Sequence, residues 1–175
     1  MSNSVFVTTY AIGNEYGFAT GKWFDLSEYS DKAEFIESAL EYARNELGDN
    51  DPELCFSDNE FDFKVNKSLI SMSHISEDIW HMMEMSDDEH KLLSAFDDHF
   101  GCGEGDAQER LELAKNRKYG EYETPADFAC EWLENSEKLK GIDRMIVDAI
   151  DYDKVAQELL SCGYCYSGNF YFDVT

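Results

Sequence analysis

Val5-Phe6-Val7-Thr8-Thr9-Tyr10 is dense in β-branched and aromatic residues, and Asp31-Lys32-Ala33-Glu34-Phe35-Ile36 begins a helical pattern farther along. The first run suits a pleated, half-buried strand. In the second, Asp31 stands where a helix cap belongs, with an acid three residues on. A strand feeding a separate helix sets the fold class as α+β. Gly13-Asn14 offers a turn, so the run from Gly17 to Leu26 reads as the second arm of a hairpin. Phe35, Ile36, Ala39, Leu40, Ala43 and Leu47 recur at helical spacing, and Gly48 closes the helix. A short strand from Glu53 to Ser57 completes an N-terminal α+β subdomain over residues 1–65.

The pattern then changes. Ser76 and Ser86 are good helix caps, and Ser86 with Glu89 has capping-box spacing. Ile79, Trp80, Met82 and Met83, then Leu92, Leu93, Phe96 and Phe100, supply apolar faces for short helices. The expectation for 66–103 is a small helical subdomain ending at Gly101-Cys102-Gly103, with Met82, Met83 and Met85 packed beside Trp80 in its core. Residues 104–175 open with a helix from Asp106 to Arg117 and a strand or turn over Lys118 to Tyr122. Thr124-Pro125 then reads as cap and first helical position for a helix with Phe128, Ala129, Trp132 and Leu133 on one face. A further helix over Asp151 to Leu160 and an aromatic hairpin from Tyr164 to Val174, broken at Ser167-Gly168-Asn169, complete a C-terminal α+β subdomain.

This chain of 175 residues is 43% apolar and 14% aromatic, yet 38 Asp and Glu face 14 Lys and Arg, for a net charge of -24. Disordered acidic chains reach such charge by losing the aromatics that this one keeps, so a folded protein is expected. The imbalance is -10 over residues 1–65, -6 over 66–103 and -8 over 104–175. Acidity is therefore a property of the whole body and not of a tail. Nucleic acid is bound chiefly through cations, so direct binding to it is not expected, and the natural partner is basic. No stretch approaches a membrane span, and Met1-Ser2-Asn3-Ser4 has no cationic, apolar leader, so a cytoplasmic protein is expected. Cys55, Cys102, Cys130, Cys162 and Cys165 are an odd count suited to reduced thiols.

Local chemistry does not favour catalysis. Asp49, Asp51, Glu53, Ser57 and Glu60 fall on positions 1, 3, 5, 9 and 12 of an EF-hand loop, but Leu54 stands where glycine is needed, and Pro52 intrudes. Cys162-Gly163-Tyr164-Cys165 has the spacing of a redox pair or half a zinc site, yet follows a helix instead of starting one, and no second pair completes four ligands. His74, His81, His90 and His99 lie in no nucleophile motif, and no phosphate-cradling glycine loop is present. No catalytic residue, cofactor or metal ligand is assigned. Two rivals remain, a salt-adapted enzyme and a calcium-dependent adaptor resting on residues 49–60.

The charge pattern itself carries a function. Glu34, Glu37 and Glu41 follow one another at i, i+3 and i+7, which spaces carboxylates about 4.5 to 6 Å apart along a helix axis. Phosphates recur about every 3.4 Å along one DNA strand, so the densities are comparable. The candidate surface comprises Asp25, Glu28, Asp31, Glu34, Glu37, Glu41, Glu46, Asp49, Asp51, Asp58, Glu60 and Asp62 in the first segment. The second contributes Glu77, Asp78, Glu84, Asp87, Asp88, Asp97 and Asp98. The third contributes Glu104, Asp106, Glu109, Glu112, Glu121, Glu123, Asp127, Glu131 and Glu134.

The opening run Val5 to Tyr10, Gly21-Lys22-Trp23-Phe24-Asp25-Leu26, Asp51-Pro52-Glu53-Leu54, Tyr119-Gly120-Glu121-Tyr122 and Asp127-Phe128-Ala129 with Glu131 together resemble the ArdA antirestriction proteins. The resemblance spans nearly the whole chain. It implies an elongated protein of three small subdomains that dimerises near its C-terminal part, mimics bent double-stranded DNA and blocks type I restriction-modification enzymes. The implied partners are that enzyme's specificity and methylation subunits and a second copy of the chain.

Overall fold

A computed structural model describes residues 3–65, 67–101 and 106–175. The fold is α+β, with small antiparallel sheets and helices packed on them. The chain divides into two compact units, Met1–Ser86 and Asp87–Thr175. Seventeen acids face five bases in the first and 21 face nine in the second, so each unit carries -12.

In the first unit, β1 (Ser4–Thr9) is the centre of a three-stranded sheet, between β2 (Lys22–Asp25) and β3 (Leu54–Glu60). Val5 pairs with Phe24 and Val7 with Phe56, which aims these side chains at one face, where α2 (Lys32–Asn45) lies. Phe35 of α2 meets Phe24 edge-on at 5.9 Å and lies 6.0 Å from Phe56. It is fully buried, and a side chain of this kind contributes about 1.5 to 3 kcal/mol by leaving water. Asp31 caps α2 by accepting the Glu34 N–H at 2.9 Å. Strand β3 runs three residues beyond the expected Ser57, with a bulge opposite Phe6 and Val7.

The expected hairpin turn at Gly13-Asn14 is corrected. Tyr10–Tyr16 forms a helix, α1, between the two paired strands. Thr9 starts it by accepting the Ile12 N–H at 3.3 Å, and a Cβ on the buried Gly13 would stand 2.5 Å from the Phe18 ring. Glycine is there for close packing inside a helix and not for a turn. Strand β2 accordingly begins at Lys22 instead of Gly17.

The stretch 66–103, expected as one helical subdomain, is shared between the units. A two-strand hairpin, β4 (Ile70–Ser71) with β5 (His74–Ile75), and α3 (Asp78–Met83) belong to the first. Trp80 of α3 packs 5.9 Å from Phe35 and donates its indole N–H to the Tyr29 carbonyl at 3.1 Å. Met82 is buried beside it in the sequence, while Met83 and Met85 are only half-buried. Helix α4 (Asp87–Phe100) opens the second unit. Cys102 and Glu104 lie outside the described residues.

The second unit follows its expected order closely: α5 (Ala107–Arg117), β6 (Lys118–Glu121), α6 (Pro125–Asn135), α8 (Tyr152–Cys162), β7 (Tyr164–Ser167) and β8 (Phe170–Asp173), with a single exposed turn, α7 (Arg144–Val147), added before α8. The sheet order is β6-β8-β7. Cys165 opposes Phe172, whose ring meets Phe96 and Phe100 of α4 at 5.7 and 6.0 Å. Tyr171 takes the other face and stacks on Phe128 of α6 at 4.6 Å. The sheet is thus sandwiched between helices, and its core is an aromatic cluster of Tyr119, Tyr122, Phe128, Tyr164 and Tyr171. Trp132 donates to the Tyr164 hydroxyl at 3.1 Å.

Candidate functional site

A carboxylate needs either water or a partner, because burying it unpaired costs several kcal/mol. None of the described Asp and Glu residues is buried as a whole, although Asp49 Oδ2 is shut off from water, and all but Asp49, Asp78, Glu89, Asp97, Asp106 and Asp173 are exposed. Their placement follows from the elements beneath them. In α2, burial of Phe35, Ala39 and Ala43 turns Glu34, Glu37 and Glu41 to solvent. In α6, burial of Phe128 and Ala129 does the same for Asp127, Glu131 and Glu134, at i, i+4 and i+7. Both stripes repeat at about 4.5 to 6 Å along the axis. The sheet of the first unit adds a third arrangement. Ser4 of the central strand faces Asp25 on one side and Glu60 on the other, so these acids are about 10 Å apart across one end of the sheet. Asp58 follows opposite Phe6, and Asp62 donates its N–H to Asn3.

The acids divide by what holds them. Asp25, Asp31, Asp106 and Asp127 cap helical turns. The hydroxyl and backbone N–H of Ser27 hold the Asp25 carboxyl below the usual carboxylate range. The Ser30 N–H and hydroxyl, at 2.7 and 2.8 Å, do the same for Glu34. In both, these hydrogen bonds favour the charged form of the carboxyl. Asp88 pairs with Lys91, Glu112 with Lys115, and Glu121 with Lys118, all at the surface. Asp97 is different: it accepts from Arg110 at 3.2 Å, with side chains only 16% and 9% exposed. It pins α4 to α5. Glu28, Glu37, Glu41, Glu46, Asp51, Glu60, Glu77, Glu84, Asp87, Glu109 and Glu123 are exposed and stand in no such pair among the described residues. Glu131 lies against Tyr122, whose phenol is pushed up to about 12, first by burial and then by the hydrogen bond and charge of Glu131. Glu15, Asp153 and Glu158 are exposed acids outside the expected set.

Residues 54–60, half of the EF-hand-like stretch, are an extended strand paired with β1. A calcium loop must coil around its ion, and this segment spreads Ser57 and Glu60 along a sheet. No group of three or more His, Cys, Asp or Glu among the described residues is arranged to hold a metal. Cys55, Cys130, Cys162 and Cys165 are free thiols, and burial raises the Cys165 thiol above its ordinary range. His74 and His99 are exposed, the latter against Phe100, while His81 and His90 are half-buried. Among the described residues, no helix is long and apolar enough to cross a membrane.

No protein-family model and no curated protein matches this chain.

An exposed region of different character is the connection from α6 to α8. Lys140 pairs with Glu137, Arg144 with Asp148 and Lys154 with Asp151, so charges there cancel locally. Between them Ile142, Met145 and Ile146 are 41, 77 and 56% exposed.

Proposed function

We propose that this chain is an antirestriction protein of the ArdA kind, a mimic of double-stranded DNA that occupies the DNA-binding groove of type I restriction-modification enzymes. The observation that carries the reading is the outward display of carboxylates on both units, in stripes at near-phosphate spacing, over two intact aromatic cores. A surface made only soluble would need a net charge of about 2 to 8. The cationic groove that the enzyme's specificity and methylation subunits offer to DNA is matched by such a surface, and carboxylates can be neither cleaved nor methylated in place of DNA. The mimic works in the cytoplasm, where those enzymes act, and needs no cofactor. A second copy of the chain covers Ile142, Met145 and Ile146, whose charge-cancelled surroundings leave two copies free of the repulsion that their other faces would produce.

The test is competition. A purified type I enzyme bound to labelled DNA is titrated with the protein at about 0.1 and about 0.5 M salt. The expected result is displacement near stoichiometric ratios at the lower salt, weakening at the higher. Absence of displacement at any ratio would remove the reading.

A further inference from the structure

The outward side of α2 carries more than carboxylates. Ile36 and Leu40, one turn apart, are half-buried, and with Ala33 they floor a shallow groove of ≈ 530 Å³. Glu37 of α2 and Glu77, just before α3, also line it. Lys32 and Arg44 are its first and last lining residues along α2, about 18 Å apart at about 1.5 Å per residue. The side chains of Glu37 and Glu77 make no ion pair among the described residues.

We propose that this groove seats one long cationic side chain, a lysine or an arginine, presented by the partner. Such side chains lay an apolar stem along apolar surface and keep the charged head at its edge. Ile36, Leu40 and Ala33 receive the stem, and Glu37 and Glu77 receive the head. The sign of the occupant follows from the surroundings. An acidic side chain reaching for Lys32 or Arg44 would approach past the exposed Glu34, Glu41 and Glu46, in the field of a chain of net charge -24. The inference rests on the DNA-mimic reading and adds something that distributed charge lacks, an anchor that salt does not screen. The Debye length shrinks from about 10 Å at 0.1 M salt to about 3 Å at 1 M, which weakens exposed ion pairs and leaves stem packing in place.

The direct test follows the Ile36 and Leu40 methyl resonances by NMR while the whole protein is titrated with n-butylguanidinium, guanidinium or n-butyrate. The expected result is saturable shifts at these methyls with n-butylguanidinium, several-fold larger than with guanidinium at equal concentration, and reduced in a Glu37→Gln/Glu77→Gln variant. Equal response to guanidinium, absence of saturation, or a stronger response to n-butyrate overturns the proposal, the last by assigning the groove to an acidic side chain. A second arm compares Ile36→Ser/Leu40→Ser with the parent in the competition assay. The parent is expected to retain competition at about 0.5 M salt that the variant loses. If the parent competes and the variant is indistinguishable at both salts, the groove falls and the mimicry stands. If the parent does not compete at all, mimicry falls, and the methyl shifts judge the groove alone.

Discussion

Replacing Asp97 by Asn separates acids that hold the fold from acids that face a partner. Asp97 and Arg110 lie 3.2 Å apart with side chains 16% and 9% exposed, so the guanidinium has little water to turn to when its carboxylate is neutralised. A charge-assisted hydrogen bond contributes about 1.5 to 3 kcal/mol, and Asn keeps the shape and a neutral acceptor, so a loss of about 2 kcal/mol is expected. With a urea slope of about 2 kcal/mol per molar, the midpoint should fall by about 1 M. Glu123→Gln is the control, since Glu123 is exposed in the loop before α6 and pairs with nothing among the described residues. It should leave the midpoint within about 0.3 M, a surface substitution being worth at most about 0.5 kcal/mol. Inhibition per folded molecule should be unchanged by Asp97→Asn. A midpoint shift no larger than that of Glu123→Gln would refute the assignment of Asp97 to the fold, and so would a loss of inhibition without a loss of stability.

Charge reversal at Glu60, exposed and outside the α2 groove, should weaken competition by no more than about fivefold, because an exposed ion pair is worth about 0 to 1 kcal/mol; abolition with the fold intact would sink the distributed-charge idea. Thr124→Ala strips the cap in which the Asp127 N–H donates to Thr124 Oγ1 and the Thr124 N–H donates back, both at 3.2 Å. It should cost about 1 kcal/mol in denaturant unfolding, and no change would mean that α6 is held by packing alone. The Tyr122 phenol is raised to about 12 in the fold. Its contribution to stability is thus fully present below about pH 10, the unfolded value, and is lost as pH rises from there toward 12. Glu131→Gln should lower the Tyr122 value part of the way, read by ring-carbon NMR; an unmoved titration would leave burial as the sole cause. Met145→Asp should shift sedimentation equilibrium from dimer to monomer without altering far-ultraviolet circular dichroism, and a parent that sediments as a monomer would dismiss the dimer.

Elements whose signals are local were legible in the sequence. Helix α6 starts where Thr124, Pro125 and Asp127 require it, and α2 and α5 start at Asp31 and Asp106, because a cap is decided within three residues. Helix α1 was not legible. Gly13-Asn14 carries the usual turn signal, and the close approach of the Phe18 ring to Gly13, which demands a glycine there for packing, is a contact that no local pattern announces. The shared membership of 66–103 was hidden for a similar reason, since Trp80 and Phe35 are distant in sequence and adjacent in space. The acidic surface was readable from composition, because carboxylates stay in water by default. The special position of Asp97 was not, for its partner Arg110 lies on another helix.

The three tryptophans divide the molecule optically. Trp80, 7% exposed and hydrogen-bonded to Tyr29, and Trp23, 40% exposed, belong to the first unit, while Trp132, bonded to Tyr164, belongs to the second. A Trp132→Phe chain would emit only from the first unit, and a Trp23→Phe/Trp80→Phe chain only from the second. Each unit's melting would then be read from its own emission.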